Sequence, residues 1–151
     1  FVVVSLTGRD LTDVANVQAH IGGELAARAA VNITDEQLRE LEKVQTELED
    51  AYASDDDDRA VRLNHEFHKA INVAADSPKL AQLMSQITRY APESVFPTIT
   101  GWPDQSTEHH RKLLAALEER DENLARTLMS EHLEAGASPL IEHLTQRGVV
   151  G

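Results

Sequence analysis

The sequence contains no cysteine, which excludes thiol nucleophiles, disulfide frameworks and Cys-ligated zinc. Aromatic residues make up only 4%, too few for a row of base-stacking platforms. Basic residues are scarce as well: 14 Lys and Arg stand against 26 Asp and Glu, a formal net charge of −12. That balance excludes a broad electrostatic footprint for DNA, RNA or an anionic membrane surface. No apolar run approaches the roughly 18 residues of a membrane span, and no signal-peptide pattern opens the chain. The 151 residues have room for one domain and little more. The expectation is an acidic, soluble, cytoplasmic domain. Because the chain opens on Phe1-Val2-Val3-Val4 without an initiator Met, it is expected to be one piece of a longer protein.

From Leu6 onward the hydrophobic pattern is helical, with no internal repeat and no low-complexity linker. Leu11, Val14, Val17, Ile21 and Leu25 recur at intervals of three and four, which predicts an amphipathic helix ending near Val31-Asn32. Thr34 with Gln37 three residues on forms a capping-box pattern, and Leu38, Leu41, Val44, Leu48 and Tyr52 supply the buried stripe of a second helix. The acids at 55–58 look like a metal site. They lack the Gly and the spaced acids of a calcium loop, whereas carboxylates at a helix N-terminus offset the positive end of its dipole. They are expected to cap a third helix that carries Val61, Phe67 and Ile71 to about Ala75.

Ser77-Pro78 reads as an N-cap followed by proline at the first helical position. The fourth helix then presents Leu80, Leu83, Met84 and Ile87. Pro92, Pro97, Gly101 and Pro103 break the next stretch. A fifth helix, capped by Asp104 or Ser106, buries Leu113, Leu114 and Leu117. Asp121 opens a sixth with Leu124, Leu128 and Met129 inward. Pro139 kinks or ends it, and Leu140, Ile141 and Leu144 form a short last helix. The predicted fold class is all-α, an antiparallel bundle of six to seven helices.

The seven histidines are where chemistry would lie. Asn64 and His68 are four apart on the third helix and therefore share a face. That face continues through Val61, Ile71 and Ala75, so both side chains are expected to point inward, with His65 about 100° away. His110 precedes Leu113 and Leu117 by three and seven residues, and His132 follows Leu128 and Met129 by four and three. Both fall on apolar faces, with His109 at the edge of its stripe. Neutral imidazoles and an amide oxygen suit zinc, nickel or a similar divalent ion. Three imidazoles without a carboxylate would leave the ion its full charge and an open position for water or an anion. The alternative is that each histidine simply fills the core, bonded to a backbone carbonyl.

Three stretches resemble one family. Asn64-His65-Glu66-Phe67-His68-Lys69-Ala70-Ile71 resembles a D/N-x-x-F-H-x-A-I motif. Glu108-His109-His110-Arg111-Lys112-Leu113-Leu114-Ala115-Ala116-Leu117, with Asp121 and Ala125 after it, is similar to a second histidine motif. Met129-Ser130-Glu131-His132-Leu133 is similar to a third, M-x-x-H-L. With Ala26, Ala29 and Ala30 on the first helix, the match spans roughly residues 13 to 143 and resembles the FCD effector-binding domain of FadR-subfamily regulators in the GntR superfamily.

The resemblance implies a divalent metal, zinc first with nickel or manganese as further candidates, held by Asn64, His68, His110 and His132. It also implies a small carboxylate effector, a homodimer, and DNA contact only through an N-terminal winged-helix domain. Residues 1–9 would then be the last strand of that reader or its linker, and 10–147 the FCD-type domain. Two departures stand out. Asn64 holds a position more often Asp, which removes a negative charge, weakening the hold on a cation and strengthening the pull on an anion. Where family members carry R-x-x-L-E on the first helix, this chain has Gln18 and Gly22, so no guanidinium clamp is available there. Gln18 and Arg89 are the candidate effector contacts. The Gly-Asp turn of the family reads Arg120-Asp121, a change expected to be harmless. Two other functions fit the same residues: a metal-dependent hydrolase, for which the inward faces offer no clear general base because Glu66 points elsewhere, and a metal-free helical dimerisation module.

Overall fold

The computed structural model describes residues 6–150. The strand expected at Phe1-Val2-Val3 lies outside them. Seven α-helices and one 3-10 segment follow in order: α1 (Gly8–Asn32), α2 (Asp35–Ala53), α3 (Asp57–Ala74), α4 (Pro78–Thr88), the 3-10 turn Glu93–Thr98, α5 (Trp102–Glu118), α6 (Glu122–Ala135) and α7 (Ala137–Gln146). The all-α bundle is as expected, and among the described residues no helix is long and apolar enough to cross a membrane.

Short polar side chains set most of the helix starts. Thr34 and Gln37 form a full capping box, as do Thr7 and Asp10 at the start of α1. Asp56 accepts from the Arg59 N–H with Asp57 and Asp58 in the first turn, so the run of acids caps α3. Asp121 accepts from the Leu124 N–H. Two starts differ from expectation. Ser77 makes no side-chain cap; its hydroxyl instead accepts from the Arg28 guanidinium at 2.9 Å. Helix α5 begins at Trp102, after Gly101 at φ 81°, so Asp104 and Ser106 lie inside it. Pro103 is tolerated because a first-turn N–H has no intrahelical partner to lose.

The core is built around α1, which packs against α3, α4, α5, α6 and α7. Leu25, Leu41, Phe67, Ile71, Leu113, Leu117 and Met129 are its fully buried large side chains. Three residues expected inside are exposed: Val17, Leu83 and Leu124, at 44%, 44% and 40%. For Val17 and Leu124 the physical reason lies in α1 and α6. Between Leu11 and Leu25, both buried, the inward face of α1 carries small residues, Ala15, Ala19, Gly22 and Gly23, and α6 turns Ala125 inward. Small side chains let two backbones approach, and the larger apolar neighbours are displaced to the surface.

Gly23 shows how close that approach is. A Cβ there would lie 2.3 Å from Ser130 Oγ and 3.0 Å from the Arg126 backbone oxygen. Ser130 is not free to yield, since its hydroxyl donates to the Ala19 carbonyl at 2.8 Å. Alanine would gain up to about 1 kcal/mol of helix propensity against an overpacking cost of about 1–3 kcal/mol. Gly23→Ala is therefore expected to lower stability by up to about 2 kcal/mol net, read as a shift in urea midpoint at constant slope.

Arg120 sits at φ 57°, in the left-handed region. That conformation costs a non-glycine residue roughly 1–2 kcal/mol. Its guanidinium donates to the Ile33 carbonyl and pairs with Asp35. A hydrogen bond from a charged donor is worth about 1.5–3 kcal/mol, enough to offset the strain.

Candidate metal centre

Three helices bring the centre together. His68 comes from α3, His110 from α5 and His132 from α6, and one ligating nitrogen from each lies within 4.8 Å of the others. The aromatic surroundings fix the rings. Phe67, fully buried, stacks on His110 at 4.0 Å with planes 5° apart. His68 and His132 lie parallel at 5.3 Å, and Trp102 stacks on the His132 side at 5.8 Å. His110 is completely buried and His132 nearly so, while His68 is half-buried and faces a cavity of about 570 Å³.

Burial makes all three imidazoles neutral at physiological pH. Desolvation, with a smaller contribution from His65, pushes His68 down to about 4. Desolvation also holds His110 and His132 well below the ordinary 6.5, reinforced by the neighbouring histidines. A neutral imidazole keeps one lone pair, which is what a divalent ion requires. Zinc takes imidazole nitrogens at about 2.0–2.1 Å in tetrahedral array, which spaces two of them by about 3.3 Å. His110 Nε2 and His132 Nε2 are 3.2 Å apart. The donor set therefore fits a zinc-like ion.

Asn64 lines the same cavity one turn before His68, as do Gln18 and Arg89. The Gln18 amide donates to Thr88 Oγ1 at 3.4 Å, tying α1 to α4 on the cavity wall. Arg89 is the exposed C-cap of α4. At Gly22 a Cβ would meet Leu133 Cδ1 at 2.4 Å, so a larger residue requires the Leu133 side chain to move. His65 lies outside the three-imidazole cluster and pairs with Glu93 at 3.7 Å. Glu66 is exposed.

Several contributors were not expected. Glu93, from the 3-10 turn, is the one carboxylate lining the cavity among the described residues; burial raises it and His65 pulls it back. Gln45 of α2 is completely buried and lies 2.8 Å from His110 Nδ1. Its position was available in the sequence, because it falls four after Leu41 and three before Leu48 on the apolar stripe. His109 reaches His132, Nδ1 to Nδ1 at 3.0 Å, although it sits at the edge of its stripe. Pairing across helices carries no signal in one helix's periodicity.

A family model, that of the FCD domain, matches residues 13–135. Among solved structures, the chain is similar to Escherichia coli McbR/YncC at 24% identity and a TM-score of 0.78, over 93% of this chain and 66% of that one. It is similar to Streptococcus agalactiae GntR at 24% identity and a TM-score of 0.73, over 85% of this chain and 58% of that one. The chain thus spans less than two thirds of either, and at that identity the likeness shows the fold. Comparison with curated protein sequences gave no match. With the model covering most of its length, the chain belongs to the FCD domain family.

Proposed function

We propose that this domain senses a small organic acid at a divalent metal held by His68, His110, His132 and Asn64, within a cytoplasmic, homodimeric regulator of the FadR subfamily. The observation that carries it is the meeting of three neutral imidazoles, of which His68 and His132 line a cavity of about 570 Å³. A metal there supplies a cationic anchor for a carboxylate. With neutral donors only, the ion's charge stays uncompensated and an anion is drawn to the open position. Zinc suits the nitrogen-rich donor set best, with nickel and manganese as alternatives.

The cavity wall does the rest. His68 and His132 hold the anchor at one end. Gln18, fixed by Thr88, offers a neutral amide where family members offer a guanidinium, and Arg89 supplies a cation from α4. The lining is drawn from α1, α3, α4, α5, α6, α7 and the 3-10 turn, so an effector touching several of them favours one helix arrangement over another. In a dimer that bias changes the spacing of two attached winged-helix readers, the route by which this acidic domain would control DNA binding without touching DNA.

The test is calorimetric titration of small mono- and dicarboxylates into zinc-loaded and chelator-treated protein. At least tenfold tighter binding to the loaded form is expected. Equal binding to both forms overturns the proposal.

A second reading, a metal-free module whose histidines fill the core, is favoured by one observation. The contacts His109–His132, His132–His110 and His110–Gln45, at 3.0, 3.2 and 2.8 Å, can form an unbroken run of hydrogen bonds with all rings neutral. Absence of metal from protein purified without chelator, and no zinc uptake on addition, would select it.

A further inference from the structure

We infer that Glu49, a partly exposed carboxylate of α2, is a positioning residue for the metal centre: it fixes the amide of Gln45, which in turn fixes which nitrogen of His110 is bare. The inference rests on the metal reading above and on one chain of contacts.

An amide side chain beside an imidazole is ambiguous in itself, since its oxygen accepts from an N–H and its nitrogen donates to a lone pair. Here the other end of the amide removes the ambiguity. Gln45 Nε2 lies 3.0 Å from Glu49 Oε1, and an ionised carboxylate only accepts. The nitrogen must therefore face Glu49, which leaves Gln45 Oε1 facing His110 Nδ1 at 2.8 Å. An oxygen there requires Nδ1 to carry the proton. Nε2 is then bare and directed at His132 Nε2, 3.2 Å away, where the ion would sit. Had the amide been reversed, its N–H would draw the Nδ1 lone pair and leave the proton on Nε2, closing that position to a cation.

Glu49 is itself held. Arg111, the residue after His110, grips it with two bonds, Nε to Oε1 at 2.6 Å and Nη2 to Oε2 at 3.0 Å. The Arg111 bond keeps the Glu49 carboxyl below its usual range, ahead of the opposing effect of burial, so the carboxylate stays an acceptor. Arg111 also pairs with Glu42 on the same helix. Glu42 therefore provides an internal control: it has the same charge and the same guanidinium partner, but among the described residues Gln45 bonds to Glu49 and His110 and not to Glu42.

Loss of an outer-shell partner typically costs about 10–100-fold in metal affinity. Glu49→Ala removes the acceptor that orients the amide and is expected to raise the zinc dissociation constant about tenfold, the lower end of that range. Glu49→Gln keeps an acceptor oxygen and should stay within about threefold of the parent, and Glu42→Ala within about twofold, both below the outer-shell range. The measurement is competition against a chelating dye, on variants whose helical content by circular dichroism is unchanged. Nitrogen-15 shifts of the His110 ring in zinc-free protein give a second readout. The parent should show Nδ1 protonated and Nε2 bare, and Glu49→Ala a mixture of the two tautomers. Equal losses in Glu49→Ala, Glu49→Gln and Glu42→Ala would reduce the effect to surface charge and overturn the inference. So would a single unchanged tautomer in Glu49→Ala. If the parent takes up no zinc, the metal reading fails while the ring nitrogens still report whether Glu49 sets the tautomer.

Discussion

His68→Ala should cost at least about a hundredfold in zinc affinity, beyond what even an outer-shell partner contributes, while leaving the bundle folded. His68 is the candidate ligand whose removal separates binding from folding. Its ring is half-buried against the cavity, so alanine enlarges a space that already exists. His110 offers no such separation. It is completely buried, stacked on Phe67 and bonded to Gln45, and its loss would leave a void and an unpaired buried amide. The readout is zinc per chain after desalting, with dye competition for the residual affinity. The charge of the fourth position gives the complementary test. Asn64→Asp adds a negative charge to the donor set, so it should tighten zinc binding while weakening that of a carboxylate effector. Wild-type zinc affinity in folded His68→Ala would remove His68 from the donor set, and the three-imidazole proposal with it.

The helices were legible because their ends and stripes are local. Thr34 with Gln37, and Asp121, need only a few neighbouring residues to act as caps, and the periodicity of Leu38, Leu41 and Leu48 defines a face without a partner. What escaped was set between helices. Between Leu11 and Leu25 the inward face of α1 follows its alanines and glycines because α6 presses on it at Gly22 and Gly23. That contact leaves Val17 outside, contrary to a reading weighted toward large apolar residues. The same division runs through the candidate centre. Inward placement of His110 and His132 followed from the turns they share with leucines and methionine. That His109 would reach His132, and Gln45 His110, depends on how α5 meets α6 and α2. A buried glutamine in a leucine stripe is nevertheless a visible anomaly. A polar group there must find a partner, and the only open question was which.

Acidification should unfold the zinc-free domain in two separate windows, the first set by the histidines. His68 is pushed from 6.5 down to about 4 by burial, and His110 and His132 lie well below 6.5 for the same reason. In the unfolded chain these imidazoles regain ordinary values, so between pH 6.5 and about 4 the unfolded state binds more protons and stability falls as pH falls. Each proton taken up on unfolding is worth 1.36 kcal/mol per pH unit. His68 alone would then account for about 3 kcal/mol across that window, a sizeable part of the roughly 5–15 kcal/mol by which a domain is stable. His110 and His132 act in the same direction. The raised Glu93 carboxyl acts the other way, gaining protons more readily in the folded state. A second window opens below about pH 4.5, where Glu49 and Glu24, both held low by arginine, lose their partners' help on protonation. Urea unfolding at pH 7, 6 and 5 in the presence of chelator should give midpoints that fall at each step with an unchanged slope. His68→Gln, which cannot titrate, should make the fall across the first window shallower, leaving the part due to His110 and His132, and leave the second in place. A midpoint constant from pH 7 to 5 would mean that the three imidazoles reach protons in the folded state, and that the centre is open to water.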